Sequence, residues 1–442
     1  MTRPLVDAKS RRVCRARLVT RLKRPWRRRR SHVKRAERRG RARHGGHRSR
    51  HERLATASAR VSVDVVAREA GGPTMEAQVK SPDMSRGARL ATHGAVSTAL
   101  ALYDDRRLGE LVDAGTPAGS GIGGETVLLE VGGTPVFVKR IRLTDLERRP
   151  ENVRSTANLF GLPLFCHYGV GRIGGPGFGA WRELAAHTMT TDWVIAGHHE
   201  GFPLMHHWRV LPAPDRPLPE ELADVERAVA HWGGGPGIRH RIEALQESSA
   251  SLTLFLEYIP QNLHDWLGAR FKAGAEAAER ACALVESRLT EGVSFMNTRG
   301  LLHFDAHFQN ILTDGRRLFF TDYGLALSSR FELARDEADF FDGHRSYDRS
   351  YTATHLVNWL TVALHGYGRE ERAAFIRACA QGVPPRGVPA AVAAALLRDA
   401  PVADVMGDFY RRFQEESRTT PYPLEALRRV GAGGGTTRRR PA

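Results

Sequence analysis

The chain has 442 residues, long enough for two packed lobes with tails and too long for one small module. Its apolar fraction of 41% and charged fraction of 26% are those of an ordinary globular protein and name no activity. The formal charge of +17 suggests a nucleic-acid partner until it is located: residues 1–60 hold 23 Lys or Arg against 3 acids, so the rest of the chain carries −3 and its partners are not selected by a basic surface.

Residues 1–74 form the first compositional block, with Trp26 ahead of Arg27–Arg30 and then GRARHGGHRSRH. Such a block is too charged to bury a core, so disorder is expected there. It reads as a solvated tail, or as a stretch upstream of a start at Met75 or Met84; any nucleic-acid role would reside in residues 1–60. Arg residues interrupt every apolar stretch of a secretory pattern, and no run approaches the roughly eighteen apolar residues of a membrane span. The cysteines (Cys14, Cys166, Cys282, Cys379) are far apart, with no CxxC pair, which reads as reduced thiols in a cytoplasmic protein.

From about residue 88 the pattern turns apolar. THGAVSTALALYDDRRLGELVDAG predicts a helix broken near Asp104-Asp105. A Gly-rich stretch, Ala118 to Gly124, then leads into ETVLLEV (125–131), a turn at Gly132-Gly133-Thr134-Pro135, and VFVKRI (136–141), two strands of a hairpin. A second glycine cluster (Gly174, Gly175, Gly177, Gly179) has no GK[ST] after it and reads as a mobile loop before a helix from Trp181 to about Val194. Helices are expected at 218–231 and 238–248, a strand at 253–259, helices at 262–270 and 274–299, and largely helical structure from 331 to about 418. The adjacent pairs His198-His199 and His206-His207 point apart on a strand and do not read as a zinc site.

Four features carry chemistry. Gly119, Gly121 and Gly124 make GxGxxG inside a hairpin, where bare backbone N–H groups can approach phosphates. Lys139 follows on the next strand between apolar neighbours, so it either snorkels or holds an anion. His303-Phe304-Asp305-Ala306-His307-Phe308-Gln309-Asn310 fits HxDxxxxN, and Asp322-Tyr323-Gly324 comes after a further hairpin.

Together these resemble the protein-kinase-like superfamily, which includes Ser/Thr protein kinases, aminoglycoside phosphotransferases and choline-kinase-type enzymes. By motif the resemblance covers residues 117–330. It implies a two-lobed α+β fold, with an N-terminal antiparallel sheet lobe with insertions over 88–260, a mainly helical C-terminal lobe over 261–430 and a disordered tail over 431–442. It also implies ATP and Mg2+. Asp305 would be the catalytic base, Asn310 and Asp322 the metal ligands, and Lys139 the phosphate-binding lysine. Glu257 to Ile259 would meet adenine through their backbone. Glu183 in WRELAAH is the choice for the lysine's carboxylate partner, with Glu147 and Glu151 competing. Phe304 replaces the usual Arg before the base, so control by a phosphorylated activation loop is not expected. His307 stands where protein kinases carry Lys and looks like the small-molecule kinases, whereas TDYGLALS looks like the Ser/Thr kinases. The acceptor hydroxyl is thus expected on a protein, narrowly ahead of a small molecule, with a pseudokinase binding module as the third reading.

Overall fold

The computed structural model describes residues 83–121, 123–170, 173–213 and 217–433. The basic block over 1–74 lies outside them, as do residues 434–442 of the expected C-terminal tail. In chain order the elements begin with α1 (Arg86–Ala101), α2 (Asp105–Asp113), β1 (Thr116–Gly121), β2 (Gly124–Val131) and β3 (Thr134–Leu143). There follow α3 (Ala180–Ile195), β4 (Met205–Pro212), α4 (Glu220–Ala223), α5 (Val225–His231), α6 (Pro236–Gln246) and β5 (Ala250–Glu257). Next come β6 (Gln261–Asn262), α7 (Leu263–Lys272), α8 (Ala275–Thr298), β7 (Leu301–Leu302), β8 (Ile311–Thr313), β9 (Leu318–Phe320) and β10 (Leu327–Ser328). The chain closes with α9 (Arg335–Gly343), α10 (Tyr347–His365), α11 (Arg369–Ala380), α12 (Ala390–Glu415) and α13 (Leu424–Gly433). The architecture is α+β, a five-stranded antiparallel sheet with a mostly helical remainder.

The expected helix break and the hairpin are both present. Asp104 caps α2 by accepting from Arg107 N at 2.8 Å, which explains why the pattern breaks at the Asp pair. The helix expected over 218–231 is split for the same reason: Asp224 accepts from Arg227 N at 3.0 Å and starts α5 anew. Residues 431–433, expected in a tail, continue α13.

The sheet runs β1-β2-β3-β5-β4, with every neighbouring pair antiparallel. Because side chains alternate along a strand, β3 serves two cores. Val136 and Val138 pack with Val127, Leu129 and Phe255 against Val96 and Leu100 of α1 and Leu108 and Val112 of α2. Ile141 and Leu143 pack with Leu252, Leu254 and Leu256 against Trp181 and Leu184 of α3. Lys139 belongs to the second set, so the pleat carries its side chain to the α3 face. Beyond the sheet, α8, α10, α11 and α12 enclose a core that includes Leu289, Val293, Leu360 and Leu396. A second core joins α6, α9, α10 and α12 to the segment around Phe160 and Phe178. Among the described residues no helix is long and apolar enough to cross a membrane, and Cys166, Cys282 and Cys379 are buried and free.

Arg89 of α1 is buried although charged. Its guanidinium donates to both carboxylate oxygens of Glu257 (2.8 and 2.7 Å) and to the carbonyls of Glu200 and Phe202 (3.0 and 2.6 Å). One helix is thereby fastened to the last residue of β5 and to the loop before β4.

α1 also meets β4 through His93 and His206, whose Nδ1 atoms lie 3.2 Å apart. Burial, then the neighbouring His93 and Arg89, hold the His206 imidazole down at about 3, below its ordinary 6.5. The unfolded chain therefore binds a proton there that the folded chain refuses. The stability a neutral His206 contributes is present above pH 6.5 and lost as pH falls toward 3. On going from pH 7.5 to pH 5 the wild type should lose about 2 kcal/mol more than His206→Gln, at about 1.4 kcal/mol per pH unit. Urea titrations of both proteins check this, and equal losses would sink it.

Candidate active site

Lys139 is 5% exposed and surrounded by apolar side chains, so its ammonium needs counter-charge. It finds two: Glu183 Oε1 at 2.6 Å and Asp322 Oδ1 at 2.9 Å. Glu183, in the first turn of α3, is the partner chosen from the sequence. Of its two competitors, Glu151 is exposed and Glu147 is engaged elsewhere. Burial would push the lysine down, but the Asp322 and Glu183 carboxylates more than reverse this, and the ammonium stays charged. Burial also opposes ionisation of Asp322, yet Lys139 beside it holds that carboxyl low, at about 2. Glu183, more deeply enclosed, is pushed up by burial to about 7 against the pull of Lys139.

The HxDxxxxN segment lies between β7 and β8 and is shaped by strain. Phe304 has φ of +63°, costly for a bulky residue, and Asp322 has +65°. What holds Phe304 there is Asp348 of α10, fully buried, whose two carboxylate oxygens accept from His303 N at 2.8 Å and Phe304 N at 2.9 Å. The phenyl ring is itself buried beside His167, Phe340 and Tyr347. With Phe304 locked, Asp305 is presented to the cleft.

Asp305 accepts from Asn310 Nδ2 at 3.2 Å and from the Tyr351 hydroxyl at 3.4 Å. His307 Nε2 lies 3.9 Å from it, and burial lowers that imidazole's pKa, so His307 is neutral at physiological pH. Burial and then the negative charge of Asp322 raise the Asp305 carboxyl well above the usual carboxylate range. Thr321 N donates to the Asn310 carbonyl at 3.1 Å, which ties the end of one motif to the start of the next.

The glycines divide. Gly119 and Gly121 lie on β1, opposite Thr126 and Gly124 of β2. Gly124, at φ +123°, has no room for a side chain, since a Cβ would overlap the Arg140 carbonyl oxygen. The residue nearest the charged groups is Gly123, which the motif skips: a Cβ there would sit 3.3 Å from Lys139 Nζ and 3.6 Å from Asp322 Oδ2. Glu257 and Ile259 are not brought to this point. The Glu257 N–H donates to the Leu204 carbonyl at 2.8 Å and its carboxylate is held by Arg89, while Ile259 is 5% exposed.

Asp305, Asp322, Glu183, Gly123 and Gly124 line one cavity of about 420 Å3. Its far wall includes Gly174, Gly175, Gly177 and Gly179, the cluster expected to be a mobile loop. In the described part of that segment Trp232 Nε1 donates to Gly174 O at 3.1 Å and Arg241 Nε to Pro176 O at 3.3 Å. Tyr351, Asp348 and Gly123 were not reached from the sequence. The first two sit one helical turn apart on α10, in YDRSYTATH, with no local motif to mark them. Gly123 was passed over because the GxGxxG spacing selects its neighbours.

Of the three carboxyl groups at the site, Asp322 is the one held firmly ionised, while burial favours the protonated form of Glu183 and Asp305. Asp322, held ionised, and the amide oxygen of Asn310 are hard oxygen donors of the kind Mg2+ takes. Among the described residues no group of three or more His, Cys, Asp or Glu is arranged to hold a metal unaided. No protein-family profile matches the chain, and a search among curated proteins finds no match.

Asp348→Asn should leave one of the two N–H donors facing an amide NH2, at a cost of about 1–3 kcal/mol. A urea titration measures it; wild-type stability would show that Asp348 does not hold the Phe304 turn.

Proposed function

We propose that the protein is an ATP- and magnesium-dependent phosphotransferase of the protein-kinase-like kind, with the sheet and the helical remainder as its two lobes. The observation that carries this is the Lys139 ammonium held between Glu183 and Asp322, close to Gly123, with Glu183, Asp322 and the Asn310-bonded Asp305 lining one cavity. Positioning and charge neutralisation are what phosphoryl transfer asks of a protein, and each has a residue here.

In this reading Lys139 binds the phosphates of ATP, with Glu183 fixing the direction of its ammonium. Backbone N–H groups near Gly123 and Gly124 cover them. Asp322 and Asn310 would hold Mg2+, which when bound neutralises phosphate charge. Asp305 orients the acceptor hydroxyl and takes its proton, with Asn310 and Tyr351 fixing the carboxylate. The acceptor oxygen bonds to the γ-phosphorus as the bond to the β,γ-bridging oxygen breaks, and ADP leaves. Contact with adenine falls to the backbone following β5. A pseudokinase is disfavoured by the complete set of Lys139, Glu183, Asp305, Asn310 and Asp322.

Asp305→Ala should lower turnover of γ-labelled ATP by about 10²–10⁴-fold, the range for loss of a positioned base, while nucleotide affinity changes little. Wild-type turnover in that variant would remove Asp305 from the mechanism. Lys139→Met should instead weaken nucleotide binding itself, seen by calorimetry with ATP and Mg2+; unchanged affinity would deny the lysine its phosphate-binding role.

A further inference from the structure

We propose that the cavity in front of Asp305 is the acceptor site, and that the acceptor is a small hydroxylated molecule with an apolar body rather than a protein side chain. This rests on the phosphotransfer reading and adds the substrate class.

The first argument is position. In the β3–β5 ladder Val136 pairs with Glu257 at one end and Leu143 with Ala250 at the other. The cavity is lined by Arg140, Ile141, Arg142 and Ser251, toward the second end, and includes none of Gly119, Glu257 or Ile259. It therefore extends from the phosphate end of the site away from where adenine would meet the chain. An occupant would lie beyond the γ-phosphate, with Asp305 and Asp322 beside it.

Enclosure is the second argument. Described residues of two insertions build the walls: Gly174–Gly177 and Gly179 from the one between β3 and α3, and Ala213, Pro217–Pro219, Leu222, Arg241 and Leu245 from the one between β4 and β5. Glu147 braces them: one oxygen accepts from Ala180 N at 2.7 Å, the other from Thr144 N at 3.0 Å and Arg241 Nη1 at 2.9 Å. The Trp181 indole donates to the Glu147 carbonyl at 2.8 Å. Glu147 is 1% exposed and Arg241 3%, so this brace is internal and the walls stand before any ligand arrives. The first insertion also passes directly against the base, where a Cβ on Gly169 would overlap Asp305 Oδ1. An extended polypeptide has no open groove across Asp305 on that side.

Lining chemistry gives the class. Ile141, Leu218, Leu222, Leu245 and Leu325 supply an apolar surface. The guanidiniums at the rim are engaged: Arg241 with Glu147 and the Pro176 carbonyl, Arg142 with the carbonyls of Leu245 and Pro217. Recognition would then rest on shape and apolar contact, with a hydroxyl delivered to Asp305. A volume of about 420 Å3 falls among small-molecule sites, which run from about 300 to 1,000 Å3.

The test uses the full chain with γ-labelled ATP and Mg2+, and Asp322→Ala as blank. Acceptors are a panel of alkyl, aryl and amino alcohols and monosaccharides, beside a generic basic protein and Ser/Thr peptides. The expected result is label on one or more small alcohols, reduced at least tenfold by Ala213→Trp, which fills the cavity, with ATP affinity and thermal midpoint unchanged. Pro219→Trp, on the same wall, serves if Ala213→Trp does not fold. Label on protein or peptide that survives these variants overturns the acceptor class and leaves phosphotransfer standing, as does ATP turnover with no small alcohol labelled. A chain that neither binds nor hydrolyses ATP overturns the phosphotransfer reading beneath it.

Discussion

A lysine ammonium buried by the alternation of a β-strand is the constraint on which the rest of the site depends. Val138 and Arg140 face α1 and α2, so Lys139 must face α3 among apolar side chains. A cation there is tolerated only with counter-charge in contact. α3 meets that demand from one side with Glu183, and the segment after β9 meets it from the other with Asp322. A single charge thus couples the sheet, the helix on its face and the segment between β9 and β10.

The five-stranded sheet's central hairpin, the helix bearing Glu183 and the 303–324 segment were legible because each rests on local pattern: alternation, helical period, and fixed spacing between polar residues. Glu183 was reachable across 44 residues only because Lys139 had to have an acid and WRELAAH offered one on a helix. What escaped depends on contacts remote in the chain. Asp348 meets His303 and Phe304 from 45 and 44 positions away, and neither partner's side chain signals the bond, since the donors are backbone groups. The 174–179 glycines read as a mobile loop because glycine is permissive; the indole at 232 and the guanidinium at 241 that bond to the Gly174 and Pro176 carbonyls are connected to them by no local rule. Glu257 shows a limit of another kind. Its position at the end of β5 was recognised, but its carboxylate serves Arg89 of α1, a helix that precedes every one of the motifs.

Glu147 illustrates how the insertions serve the site rather than decorate it. Its carboxylate accepts from the first N–H of α3, where the helix dipole favours negative charge, and from Arg241 of α6. Burial alone would raise its pKa, yet Arg241 and the Thr144 and Ala180 donors hold it low, so it remains an anion. Because α3 begins three residues before Glu183, whatever fixes Ala180 also fixes the carboxylate that meets Lys139. The wall of the cavity and the alignment of the lysine therefore share one brace.

The same economy applies to Asp305. Asp305 is directed by a strained Phe304 turn, and strain of that kind persists only where surrounding structure over-determines it. Here the determinants are two backbone donors satisfied by Asp348 and a phenyl ring enclosed by aromatic neighbours. Asp348 and Tyr351 stand on one face of α10, so the helix that holds the turn also places a hydroxyl against the carboxylate the turn presents. An arginine before Asp305 would bring a charge into this aromatic pocket, where both oxygens of Asp348 already accept from backbone donors. Phe304 fills this pocket with an uncharged ring.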